Sequence, residues 1–299
     1  MRRWFKLVWI IPIVIVAMAL VVFAARLFRA SDAGVSFLHD FPGHSGLPSF
    51  APVGFPAWLE WQHGLNAFFI LYIIRFGWQV RTTKRPAAYW TRTNTGLIKT
   101  KGSPVRISID LWAHICLDTL WVINGILFYV LIFTTGQWTR IIPTRWDIVP
   151  NAISAGIQYA SLNWPTENGW ANYNALQTIS YFLVVFIAAP VAVITGIRMA
   201  PGFANTFKRF DRVFPLPVAR AIHFPTMIFF VVFIIIHVVL VLATGALNNL
   251  NHMYAGNDGN GWAGFIIFTA TIIVMIAAWI ALNPLVLRTI AGTIGKVGR

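Results

Sequence analysis

Six stretches of this 299-residue chain are long and apolar enough to decide which solvent it folds in. They run over roughly residues 7–27, 56–79, 110–134, 174–197, 219–245 and 261–285, each near the about 20 predominantly apolar residues that carry an α-helix across a bilayer. No water is present in the hydrocarbon layer, so a spanning segment must pair its backbone internally, as a helix or within a closed barrel. A barrel needs short segments that alternate apolar and polar residues. These runs are continuously apolar, and they predict six helices. Composition agrees: 58% of residues are hydrophobic and only 11% charged. The expected fold is an all-α integral membrane protein.

A net charge of +14 raises nucleic acid as a partner, but its distribution points to membrane topology. Arg75, Arg81, Lys84, Arg85, Arg92, Lys99, Lys101 and Arg106 lie at or between the second and third runs. Arg198, Lys208, Arg209, Arg212 and Arg220 lie at or between the fourth and fifth. The other loops are poor in base, with Arg140 and Arg145 in one and none between Gly245 and Gly261. Lys and Arg gather in short cytoplasmic loops, which places both termini on the cytoplasmic side of the membrane. Arg2, Arg3 and Lys6 agree with this, while Arg26 and Arg29 weaken the asymmetry of the first run. The cations therefore read as topology determinants that also contact anionic lipid. The first run is longer than the apolar region of a signal peptide, and Arg26 and Arg29 interrupt any small-residue cleavage site; it reads as an uncleaved anchor.

Imidazole inside a bilayer is expensive and marks function. His223 and His237 share the fifth run. Fourteen helical residues fall about 40° short of four whole turns and rise about 21 Å, so both rings lie on nearly one face at two depths. His63 begins the second run and His114 the third. With cytoplasmic termini, depth pairs His63 with His237 towards the outside and His114 with His223 towards the inside. Two bis-histidine iron sites follow. The plainer readings are hydrogen-bonded interhelical contacts or proton relays, the latter making the chain a proton-coupled transporter. Neither predicts two matched pairs with one helix serving both. No carboxylate accompanies each histidine, as zinc or a hard cation would invite. Cys116 is the one cysteine, which excludes a disulfide within the chain, covalent CxxCH haem attachment and a Cys-ligated cluster. Any haem must be non-covalent.

Several neighbours bear on such sites. Gly64, Gly125 and Gly196 could leave room for a macrocycle or serve helix packing. Arg220 and Arg75 could neutralise a propionate or snorkel to headgroups. Asp118, on the same helical face as His114, could orient a ligand, carry protons near a quinone or bond a neighbouring helix. His39 and His44 fall in a Gly- and Pro-rich loop without helical period, and His252 in the polar loop NNLNHMYAGNDGNG; these read as solvated or partner-facing, with a weak loop metal site at His39, Asp40 and His44. The loop 136–170, bearing Trp138, Trp146, Trp164 and Trp170, suits an interfacial belt or a docking surface.

The run RAIHFPTMIFFVVFIIIHVVLV, with His63, His114 and the segment YNALQTISYFLVVFIAAPVAVITGIRMAP ending near Thr195–Gly196, resembles the bacterial di-haem cytochrome b membrane subunits. That group includes the cytochrome b-561 type and the b subunits of formate dehydrogenase, nickel–iron hydrogenase and thiosulfate reductase. The resemblance covers about residues 56–246. It implies a four-helix haem-binding core with ligands on its first, second and fourth helices, matched by His63, His114, and His223 with His237; Arg220, Gly64 and Gly196 would line the haems. The chain departs from it by one extra span at each end, giving residues 1–55 as an anchor and loop, 56–246 as the core, and 247–299 as a loop, last span and tail. It further implies two b-type haems, electron exchange with a quinone or quinol, and a separate redox subunit of molybdenum-enzyme or hydrogenase type, because the chain has no such signature of its own.

Overall fold

The computed structural model describes residues 3–93, 104–165, 168–203 and 207–299. Arg2, Lys99 and Lys101 lie outside them, as do the side chains of Arg3, Lys6 and Lys208. The described elements are α1 (Arg3–Ala30), α2 (Asp32–Asp40), α3 (Ala57–Thr82), β1 (Tyr89–Arg92), β2 (Arg106–Ser108), α4 (Ile109–Thr134), α5 (Ile148–Ala160), α6 (Ala175–Phe182), α7 (Ala189–Met199), α8 (Lys208–Val213), α9 (Leu216–Ala243), α10 (Ala246–Tyr254), α11 (Ala263–Ala281), α12 (Pro284–Gly292) and β3 (Gly295–Gly298). The fold is mostly helical, as expected of an all-α membrane protein.

Among the described residues, five helices are long and apolar enough to cross a membrane: Val8–Ala30, Ile109–Thr134, Ala175–Met199, Leu216–Ala243 and Ala263–Ala281. Helix α3, expected as a sixth span, has 26 residues but is not among them. Glu60, Arg75 and Arg81 dilute its apolar character, and Gln62 is buried within it. The helical span Ala175–Met199 contains a turn of π-helix at Leu183–Ala188. Pro190 explains it, since a proline ring offers no N–H to the carbonyl four residues earlier and the ladder must widen to pass it.

Two compact units emerge, one of residues 1–54 and 132–185, the other of 55–131 and 186–299. In the first, α2 begins at Ser31, whose side chain accepts from Gly34 N. This corrects the expectation of a loop without helical period: nine residues are too few to display a period, and the Ser cap is the readable signal. The Trp-rich loop likewise contains α5, which buries Asn151, Ser154 and Ala155. Arg140, 1% exposed, donates to the carbonyls of Trp170 at 2.9 Å and Gly169 at 2.5 Å, and its guanidinium lies over the Tyr173 ring at 4.8 Å. Burial lowers the affinity of that guanidinium for its proton and pushes the Tyr173 phenol up. Trp146, by contrast, is 94% exposed.

In the second unit, β1 pairs antiparallel with β2 and β3, in the order β2-β1-β3. Trp90 stands opposite Ile107 on one side and Val297 on the other. Three strands of three or four residues from distant segments leave no periodic signal, which is why the sequence gives no hint of them. The sheet ties the tail after α12 to the connection between α3 and α4. Above it lies a core of Tyr72, Phe76, Ile109, Trp112, Ala113, Leu287 and Ala291. Ser108 caps α4 by accepting from Leu111 N at 3.2 Å, and Pro217 in the first turn of α9 has a fixed φ suited to a helix start. These ends set the depth at which His114 and His223 stand.

Candidate functional site

His63, His114, His223 and His237 all stand in the second unit. The rings of His63 on α3 and His237 on α9 have centroids 6.2 Å apart at an interplanar angle of 59°. Those of His114 on α4 and His223 on α9 are 6.4 Å apart at 84°. Two metal–imidazole bonds of about 2 Å, with the ring radii added, separate the centroids of two imidazoles on one iron by roughly 6 Å. Each pair therefore has the span of a shared ion.

At His114 and His223, hydrogen bonds decide which nitrogen the ring would offer. His114 Nδ1 lies 3.0 Å from the Ile73 carbonyl. A carbonyl only accepts, so Nδ1 carries the proton and Nε2 keeps its lone pair. Thr195 Oγ1 lies 2.6 Å from Val191 O and 2.8 Å from His223 Nδ1. Its one proton goes to the carbonyl, so it accepts from His223, again leaving Nε2 as the donor atom. Fixing the tautomer through the far nitrogen is how proteins orient metal-binding histidines. His63 differs: its Nδ1 is buried without a hydrogen-bond partner. Tyr254 meets the His63 ring edge-on at 5.7 Å, and Phe233 stacks on His237 at 5.6 Å and 9°.

Space around the pairs is uneven. A Cβ added at Gly64 or Gly125 would meet nothing within 4 Å, so open volume exists beside both helices. A Cβ at Gly196 would lie 3.6 Å from His223 Cε1, and one at Gly77 3.0 Å from His114 Cε1. Gly77 escaped sequence reasoning, although it stands fourteen residues after His63, the same spacing that aligns His223 with His237. Between the two pairs, Trp121 donates to Asn66 Oδ1 at 2.9 Å and meets Phe230 edge-on at 6.4 Å.

The remaining candidates separate clearly. Arg220 is exposed one turn before His223. Arg75 is engaged elsewhere, donating to the carbonyls of Trp279 and Leu282 at the end of α11, where a cation suits the helix dipole. Arg81 covers the Phe224 ring at 3.9 Å. Asp118 Oδ2 lies 3.4 Å from His114 Nε2. His39 and His44 are exposed, and His39 Nδ1 contacts Asp40 at 3.3 Å. His252 is not solvated as expected; it is 3% exposed and its Nε2 lies 2.8 Å from Asp258 Oδ1. Helix α10 folds the polar loop inward through Asn251, which binds Gly259 O, Gly261 O and Gly264 N.

Among the described residues, no three His, Cys, Asp or Glu side chains cluster as a metal site. The donor sets are pairs of imidazoles, too few for a tetrahedral protein-held zinc and fitted to the two axial positions of a haem iron. Such pairs in a helical membrane protein suit a b-type cytochrome. Residues 54–256 match the family model for prokaryotic cytochrome b561, more than half of the chain, and the chain belongs to that family. Its members bind b-type haem and transfer electrons in the membrane, which sets aside the transporter reading. No curated protein and no solved structure matches the chain.

Proposed function

We propose that this chain is a di-haem electron conduit linking a quinone pool to a separate redox subunit. His63 and His237 hold one haem; His114 and His223 hold the other. The carrying observation is the pair of ring separations, 6.2 and 6.4 Å, with one helix supplying a histidine to each. Haem, when bound, supplies one-electron iron chemistry. With both imidazoles of a pair bound to its iron, neither centre would be left open to bind a substrate. Gly64 and Gly196 give the macrocycles room, and Arg220 neutralises a propionate.

Helix α3 crosses as well, giving six crossings and a four-helix core within residues 56–246. Both termini are cytoplasmic by the distribution of Lys and Arg, which places the His114–His223 pair on the cytoplasmic side. The sheet supports part of this reading, since it holds the C-terminal strand beside the basic α3–α4 connection. A molybdenum enzyme or hydrogenase-type subunit docked at one face would exchange electrons with the pair nearest to it, and quinone would react beside the other.

Anaerobic addition of a soluble quinol to the purified protein tests the quinone link. The b-type alpha band is expected to rise to a substantial fraction of its dithionite-reduced height. A protein that dithionite reduces and quinol leaves oxidised would contradict the link.

A further inference from the structure

Helix α5, in the Trp-rich loop of the first unit, carries no charged residue. Its polar side chains turn inward. Asn151 and Ser154 are buried; Asn151 accepts from Gly43 N at 2.9 Å and donates to Asp147 O at 2.9 Å, while Gln158 donates to Pro42 O at 2.9 Å. The exposed residues of the helix are both apolar: Val149 at 52% and Ile153 at 55%. They stand four apart and so share one face, and Trp146 just before the helix is almost wholly exposed. A helix facing water presents polar side chains on its outer side. α5 presents none there.

Both ends of α5 are held beside the ends of membrane spans. At its C-terminus Ser161 O accepts from Arg26 Nε at 3.1 Å, and Ser161 Oγ accepts from Arg29 at 3.1 Å. These arginines lie in the last turns of the span Val8–Ala30. In its first half, Ile148 and Ala152 form a cluster with Ala175, Leu176 and Ile179, in the first turns of the span Ala175–Met199. A helix tied alongside the terminal turns of two spans lies where hydrocarbon gives way to headgroups. Arginines near span ends reach for that boundary, and tryptophan concentrates in it. Over the same turns α1 exposes Phe23 and Leu27, which lipid covers in a spanning helix. Val149 and Ile153 add to the apolar surface at that level.

We propose that α5 is an interfacial helix, lying in the plane of the membrane with Val149, Ile153 and Trp146 seated among phospholipid at the boundary of headgroups and acyl chains. Lipid is the occupant rather than a water-soluble subunit, because a protein interface keeps a polar rim around its apolar centre and α5 has no charged side chain along its length. Interfacial helices bind through an apolar face of this kind. The inference is independent of the haem reading proposed above.

Contact quenching in the reconstituted full chain tests it. An environment-sensitive fluorophore is placed at Ile153→Cys in a Cys116→Ser background, in nanodiscs of phosphatidylcholine and phosphatidylglycerol. Bromine on the acyl chains should remove most of the emission, and iodide in the water should remove little. Val149→Cys should behave in the same way, and it supplies the answer if Ile153→Cys does not fold. A label that iodide quenches and brominated lipid does not would overturn the proposal, since the face would then meet water. A label protected from both quenchers would overturn it as well, by showing that a second copy of the chain covers the face.

Discussion

Replacing His63 or His237 by alanine is expected to abolish one b-type haem, and replacing His114 or His223 the other, with haem content per chain falling by about half each time, because a bis-histidine site keeps its iron through both axial bonds. The ring geometry makes the pairing specific. His63 stands 6.2 Å from His237, and His114 stands 6.4 Å from His223. Difference spectra of reduced minus oxidised protein for the four variants should therefore fall into two identical pairs. His63→Ala and His114→Ala giving the same spectrum would contradict the assignment. So would loss of both haems in every variant that still folds, because each pair would then depend on the other. His252→Ala serves as a control: its ring belongs to the Asp258 contact, and the spectrum of that variant should keep both haems.

A second large effect is expected at Gly264. Helices α10 and α11 meet so closely there that a Cβ would fall inside the van der Waals shells of Leu250 O and Asn251 N. These are backbone atoms and cannot swing aside. Gly264→Val should destabilise the protein by about 3 kcal/mol or more, at the upper end of overpacking costs. Gly264 N also donates to Asn251 Oδ1 at 2.8 Å, and a shift of α11 would break that bond. The consequence reaches the site through Tyr254, at the end of α10, which lies against His63. The thermal midpoint in detergent should drop by several degrees, since 1 kcal/mol moves a domain of a few hundred residues by about 2–4 °C. Gly292→Ala, where an added Cβ meets nothing within 4 Å, should leave it unchanged. Equal midpoints for the two variants would show that the close approach of α10 and α11 is not needed.

The spanning helices were legible because the bilayer demands the same thing of each: about 20 apolar residues with a closed backbone. The run at 110–134 became Ile109–Thr134, and the run at 219–245 became Leu216–Ala243. Helix α3 was read as one more of the same kind, yet its charged and amide side chains set it apart from the five strongly apolar helices. Depth along the helices also anticipates which rings approach each other, His63 with His237 and His114 with His223. What the sequence could not display is whatever depends on contacts between distant segments. Thr195 meets His223 across 28 residues, and the tail reaches β1 across some two hundred. His252 sits in a polar loop and looks solvated, until Asn251 and Asp258 draw that loop into a network. Gly77 was visible in principle, since its distance from His63 repeats the fourteen-residue interval of α9, but no histidine marks its position.

The most direct test of the account is the haem content of the purified wild-type chain, measured as the pyridine haemochrome against protein concentration and read beside the dithionite-reduced spectrum. Two non-covalent b-type haems per chain, with a broadened or split alpha band, are predicted. A single haem, or none, would contradict it.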